Sequence, residues 1–504
     1  MKVTLKSTIS ILLLILLCSA KSSSPTKTKV YIYDYENVLG TSYELKVAAT
    51  SEERATIGEG LAMEEIDRLN KILSGYDKTS EFSRWLTGEK KETKISAELF
   101  EVLSLFDEWR KKTNGALDAS AEVVGKVWKN ASKTGKEPSN EEIATAVSKV
   151  KQQHWVLNSA NQTAIRLDDV PLMLNSFAKS YIINKAVDKV MASQGINGVV
   201  MNIGGDMVIR GNHEELVAVS NPKADAENDA PIARLNIKGK AVATSGNYRR
   251  GELINGKWYS HIVDPRTGMP ADDIISATVI SNNATDAGAL ATAFNVLSPD
   301  ESKALAAGYA DVAYMIMTSK GEIIKSDNWA TYEIPEIKKP TIAHVGDKTW
   351  DPSYELTINL ELNQIEGMRV HRPYVAIWVV DKKKKPVRNI TLWYNKTKYL
   401  DDMPAWYEAY YAEFNNTSSN VSSTTSATRP AGKYTIKWDG KDDKGELVKN
   451  GTYTIMIEVA REHGTHQLMQ QEFDFTKKVQ PVTLAGNVEV ASVSLNYGKK
   501  SDGQ

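Results

Sequence analysis

Residues 261–270, "HIVDPRTGMP", set a histidine, an aspartate and an arginine around a Pro-Arg-Thr-Gly turn. An imidazole titrates close to working pH, so His261 is a candidate general base. The competing reading is a histidine bonded to backbone, with Asp264 capping the turn that follows it. A second stretch, "NIGGD" at 202–206, closes an apolar run with two glycines and an acid. Glycines there let a phosphate or a ligand backbone come close, and they serve a plain tight turn equally well. The spacing matches neither the dinucleotide fingerprint nor the P-loop.

Such residues need elements to hold them. "KVYIYDYENVLGTSYELKVAA" predicts two strands joined by a turn around Asn37 to Thr41. Residues 52–74 read as a helix, with Ile57, Leu61, Ile66, Leu69 and Ile72 on one side. A capped helix starts near Ser96 and stops at Gly115, and another spans Phe177 to Gln194. Apolar runs at 198–202, 215–219, 241–244 and 275–281 predict a central sheet, followed by an alanine-rich helix from about Ala284 to Leu297. The "NG" pair at 255 and 256 marks a hairpin that delivers His261, Asp264 and Arg266. Residues 334–350 mix proline with charge and read as a linker. Beyond them, period-two segments rich in aromatic and branched residues predict a β-sandwich over 351–504.

The chain has 504 residues, 41% hydrophobic and 25% charged, with a formal charge of −1. Length predicts two or three domains, and the charge balance offers no basic field to recruit nucleic acid. The N-terminus joins Lys2 and Lys6 to a short apolar run ending near Ser19 and Ala20, which predicts a signal peptide over residues 1–20 and export. Cleavage after Ala20 is preferred to lipidation of Cys18, because Leu16 and Leu17 stand where a lipoprotein signal takes small residues. A membrane tether through Cys18 stays open. Cys18 is the sole cysteine, so the mature chain has no disulfide and no thiolate chemistry.

In order, the chain carries "VLGTSYE", "LSGYDKTSEFSRW", "GALDAS", "LNSFAKSY", "NIGGD", "TSGNY", "SHIVDPRTG" and "ATDAGALATAFNVL". This series resembles the ApbE family of FAD:protein FMN transferases, over roughly residues 30–330. The tail resembles a β-rich domain of unknown function (DUF2271-like). The resemblance implies an α+β flavin-transferase domain over 28–333, followed by the all-β sandwich-like domain. It implies that FAD is attacked at its pyrophosphate by a threonine hydroxyl of a second protein. FMN becomes phosphoester-linked and AMP leaves, with Mg²⁺ on the pyrophosphate oxygens. It also implies an exported, periplasmic setting and an acceptor that is a membrane or envelope redox flavoprotein. By position, Leu39, Tyr76, Ala116, Leu117, Asp118, Lys179, Gly204, Gly205, Asp206 and Ile262 would contact the flavin nucleotide. Ser176 (through its carbonyl) and Thr292 would reach the metal. His261 and Asp264 are the base candidates.

Two acidic positions depart from the family pattern. Met173 replaces the aspartate of the "DLGGIAKG" motif, in which Ser180 also replaces the final glycine. Gly288 replaces the metal-binding aspartate four residues before Thr292. The nearest acid, Asp286, lies about 200° around a helix from position 288 and would serve only if the helix began later or were unwound there. Two further functions therefore stand beside transfer: a non-catalytic exported flavin-binding or interaction protein, and a hydrolase cutting FAD to FMN and AMP.

Overall fold

The computed structural model describes residues 28–248, 250–335, 349–365, 372–394, 397–416, 425–426, 429, 431–462 and 464–500. The expected signal segment, including Cys18, and most of the expected linker lie outside these residues. Among the described residues no helix is long and apolar enough to cross a membrane.

An eight-stranded antiparallel meander organises the first part of the chain. Its strands are β1 (Lys29–Val38), β2 (Thr41–Ala49), β3 (Ile196–Ile203), β4 (Asp206–Gly211), β5 (Ala241–Gly246), β6 (Ile274–Ser281), β7 (Ala313–Thr318) and β8 (Ile323–Lys325). They lie side by side in chain order. Side chains alternate between faces along a strand, and here both faces are covered. Val199, Met201 and Ile203 of β3 join the large core under the helices, whereas Val200 joins a smaller cluster on the reverse face.

Four helices matter for the site: α1 (Glu52–Leu73), α2 (Ala97–Lys112), α3 (Ala178–Met191) and α4 (Ala284–Val296). Each of α1, α2 and α4 is started by a side-chain oxygen, from Ser51, Ser96 and Asn283 respectively. In α4 the buried alanines at 287, 289, 291 and 293 let the helix lie close on β5 and β6. Leu290 and Phe294 are fully buried there, each stabilising by roughly 1.5–3 kcal/mol.

One expected strand belongs elsewhere. The apolar run at 215–219 does not enter the central sheet. It pairs with Ala233–Lys238 as a separate hairpin that covers the reverse face through Val217, Val219, Leu235 and Ile237. A short apolar run satisfies a covering hairpin as well as a central strand, so periodicity could not separate the two.

The second part is β-rich, as expected. One sheet runs β12–β9–β16–β15, using β9 (Tyr354–Leu362), β12 (Gly432–Trp438), β15 (Val482–Leu484) and β16 (Val490–Lys499). The other sets Thr425–Ser426 beside β11 (Pro386–Trp393), then β10 (Pro373–Asp381), β13 (Thr452–Arg461) and β14 (His466–Asp474). Leu356, Ile358 and Leu360 of one sheet share a core with Val375, Ile377 and Val379 of the other, which makes a sandwich. On the outer face of the second sheet, Tyr374, Ala376 and Trp378 pack under Trp406 and Tyr410 of α5 (Pro404–Asn416). These two aromatics are packing residues rather than a cofactor slot.

Candidate functional site

The dispersed motifs close into a ring of contacts at one end of the sheet. Leu39 and Gly40 form the two-residue tip of the β1–β2 hairpin, with φ of +51° and +75°. A leucine in the left-handed region costs roughly 1–2 kcal/mol. The two positive φ angles between the paired Val38 and Thr41 are those of a primed turn, which suits a twisted hairpin. The matching tip of the β3–β4 hairpin is Gly204–Gly205, and Gly204 N donates to Ser42 O at 2.9 Å. With φ at +57° and Thr41 Cγ2 2.7 Å from where a Cβ would stand, position 204 admits no side chain without displacing the first hairpin.

Next to this tip lies the start of α3. No side chain caps the helix at Phe177, and its second residue, Lys179, turns toward β4. Lys179 Nζ sits 3.3 Å from Asp206 Oδ2 and 3.4 Å from Gly204 O. Ser180 Oγ donates to the same Asp206 oxygen at 2.9 Å. An ammonium beside an uncapped helix start is a positive site for a phosphate.

The remaining motifs reach this corner through α4 and the loops. Thr292 Oγ1 donates to Ser176 O at 3.0 Å, so the two oxygens proposed for a metal do meet. Asn295 Nδ2 donates to Ser245 O, tying "TSGNY" to α4. Asn247 Nδ2 donates to Ala271 O and Ile274 O, and Ala271 N donates to Ile262 O, which holds the 261–270 loop. Asn175 Nδ2 donates to the otherwise exposed Tyr76 hydroxyl at 2.7 Å. Met173 N donates to Ala119 O, bringing Ala116, Leu117 and Asp118 beside the approach to α3. Gly115 lies against Arg266. Asn175, Asn247 and Asn295 were all inside the quoted motifs, but nothing in their spacing singled them out as the ties.

Several candidates have structural partners. Asp118 is buried, accepts from Ser120 N and Oγ, and pairs with Arg110 Nε at 2.9 Å. Asp264 accepts from Arg266 N, Nε and Nη2, at 2.8–3.1 Å, while Arg266 Nη1 donates to Glu301. Both carboxylate oxygens are thus engaged by Arg266. His261 bonds through Nδ1 to Arg250 O at 3.0 Å. Desolvation of the ring pushes its pKa down, the backbone bond to Arg250 works against this, and the Arg250 charge adds to it. Of the two candidates, Asp264 is engaged by Arg266 through both oxygens, whereas the His261 ring is bonded through Nδ1.

The acid at 286 fails the geometry a metal ligand needs. Asn283 Oδ1 accepts from Thr285 N and Asp286 N, which fixes the start of α4 at Ala284 and puts Asp286 inside its first turn. Asp286 is thus about 120° around the axis from Thr292. Burial raises its pKa, Lys112 opposes this, and Asp311 and Glu108 add to it. It belongs to that cluster rather than to the Ser176–Thr292 corner. Gly288 does face the corner, one turn before Thr292, but brings no ligand. A Cβ on it would stand 2.2 Å from Ser180 Oγ and 2.9 Å from Ser180 Cβ. Among the described residues, no three His, Cys, Asp or Glu side chains group closely enough to hold a metal. The corner therefore lacks a carboxylate at position 288, and its nearby acid, Asp206, is already engaged by Ser180 Oγ and Lys179 Nζ. Two surface hollows, one beside Phe100 and Glu101 and one beside Lys112 and Tyr309, lie away from Lys179 and Asp206.

The model of the ApbE family matches residues 39–316, and that of a predicted periplasmic protein family (DUF2271) matches 355–492. The FAD:protein FMN transferase of Escherichia coli (strain K12) is 28% identical over 311 residues, covering 60% of this chain and 86% of that protein. That of Haemophilus influenzae is 27% identical over 319 residues, 60% and 90%. The crystal structure of the ApbE protein from Thermotoga maritima superposes with a TM-score of 0.54 at 25% identity, over 61% of this chain and all of that one. The apo flavinyl transferase ApbE of Pseudomonas stutzeri shares the fold, with a TM-score of 0.51 at 21% identity over 62% of this chain and 99% of that one. With its eight motifs joined at one end of a shared fold, this chain belongs to the ApbE family.

Proposed function

We propose that the protein transfers FMN from FAD to a threonine hydroxyl of an acceptor protein. The threonine oxygen bonds to the FMN-side phosphorus, the phosphoanhydride bond to AMP breaks, and the hydroxyl proton passes to a base. The observation that carries this reading is the meeting of Lys179, Asp206 and the Gly204–Gly205 tip beside the uncapped start of α3. Lys179 and free helix N–H groups attract the diphosphate, and the absence of side chains at the tip lets it approach. Leu39 and Tyr76 flank the place for the ring system, and His261 is the base. Magnesium, which the relatives' pattern implies, enters as an added ion whose effect is to be measured.

The swap at Gly288 supports a second reading, a site that binds flavin without transferring it; hydrolysis of FAD by water is a third outcome of the same test. Export, a periplasmic setting and an envelope redox flavoprotein as acceptor complete the proposal, supported by the match to a family described as predicted periplasmic. The full chain is incubated with FAD and a threonine-bearing target peptide, with and without magnesium. Fluorescent flavin on the denatured target means transfer. AMP without labelling means hydrolysis. Bound FAD with neither product means a binder, and no bound FAD overturns the flavin reading.

A further inference from the structure

Residues 180 and 288 face each other across the packed helices α3 and α4. Ser180 is 2% exposed and its hydroxyl donates to Asp206. The space beyond the Gly288 Cα is taken by that same serine, whose Oγ and Cβ stand 2.2 and 2.9 Å from the built Cβ position. Rotating the hydroxyl away removes the first contact and leaves the second, a Cβ–Cβ approach that real structures essentially never show. The pair is therefore one packing unit. A serine at 180 requires glycine at 288, and a carboxylate at 288 requires a smaller residue at 180. The two departures from the family pattern, one gaining a hydroxymethyl group and one losing an acid, are sterically coupled.

That coupling changes the chemistry of the corner. The β3–β4 hairpin places Asp206 at this corner, and its Oδ2 already accepts from Ser180 Oγ and pairs with Lys179 Nζ. Thr292 Oγ1 spends its proton on Ser176 O. Beside them the Lys179 ammonium, with the start of α3 behind it, offers positive charge to a diphosphate.

We propose that this chain holds its dinucleotide without a divalent cation. Ser180 fills the volume from which an acid at 288 would hold the metal, and Lys179 takes over the neutralisation of the diphosphate. This inference rests on the flavin reading above. It also corrects the simplest repair of the site: Gly288→Asp alone cannot restore a metal ligand, because the serine stands in its way.

The test measures FAD affinity of the full chain in excess EDTA and in excess magnesium, by quenching of flavin fluorescence, for the wild type, Ser180→Gly, Gly288→Asp and the double variant. The wild type and Ser180→Gly are expected to bind FAD equally in both buffers. The double variant is expected to bind at least about tenfold tighter with magnesium, the order of a regained ligand for a hard cation. In thermal melts without ligand, Gly288→Asp is expected to melt well below the wild type and the double variant above Gly288→Asp. Wild-type binding that collapses in EDTA would overturn the inference while leaving the flavin reading intact. So would a double variant indifferent to magnesium, or one melting no higher than Gly288→Asp. No FAD binding by the wild type in either buffer would overturn the flavin reading itself.

Discussion

Replacing Lys179 by methionine keeps the length and apolar stem of the side chain and removes its charge. The Lys179 side chain is about one-third exposed, and its Nζ pairs with Asp206 at 3.3 Å and the Gly204 carbonyl at 3.4 Å. A hydrogen bond to a charged group is worth about 1.5–3 kcal/mol, or roughly 10- to 150-fold in a dissociation constant. The ammonium must share itself with Asp206 when the diphosphate arrives, so the loss belongs at the lower end, about tenfold to thirtyfold. The folded chain should hardly notice, because a partly exposed ion pair contributes at most about 1 kcal/mol. The assay is titration by flavin fluorescence with FAD, FMN and riboflavin, beside a thermal melt. FAD and FMN should weaken in Lys179→Met, riboflavin should not, and the melting temperature should hold. Raising the salt should shrink the difference. Equal weakening for riboflavin would mean that Lys179 shapes the ring pocket. No weakening for FAD would mean that the phosphates lie elsewhere.

The other expectations follow from particular contacts. Gly204→Val puts a Cβ 2.7 Å from Thr41 Cγ2 at a φ of +57°; it should cost about 1–3 kcal/mol, read as a lower melting temperature, and should weaken FAD by shifting the Leu39 turn. His261 has its pKa depressed below the ordinary 6.5, so the stability it contributes is present above pH 6.5 and is lost as pH falls toward the folded-state value. The melting temperature of His261→Gln should therefore fall less on acidification than that of the wild type, and transfer by the wild type should keep its unprotonated base to below pH 6.5. Glu458 is fully buried and accepts from Ala405 N, Trp406 N and His466 Nε2. Glu458→Ala strands two N–H groups at the start of α5 and should cost about 2–4 kcal/mol in denaturant unfolding of the full chain, with FAD affinity unchanged.

Local chemistry was written in the sequence wherever a few neighbouring residues decide the outcome. The Asn255–Gly256 turn, the Ser96 start and Gly115 stop of α2, and the alternation along β9 all follow from backbone preferences and side-chain period. The order of eight motifs pointed to the family and so to the corner where they meet. The run at 215–219 shows the limit, since four or five apolar residues satisfy a covering hairpin and a central strand alike. What only the packed chain decided was the fate of the two missing acids. Helix phase set by the Asn283 cap turned Asp286 away, and the space beside Gly288 turned out to be occupied by a serine from another helix. Volume is filled by whatever arrives from elsewhere in the chain, so no spacing along one segment could have shown that positions 288 and 180 compete for the same space.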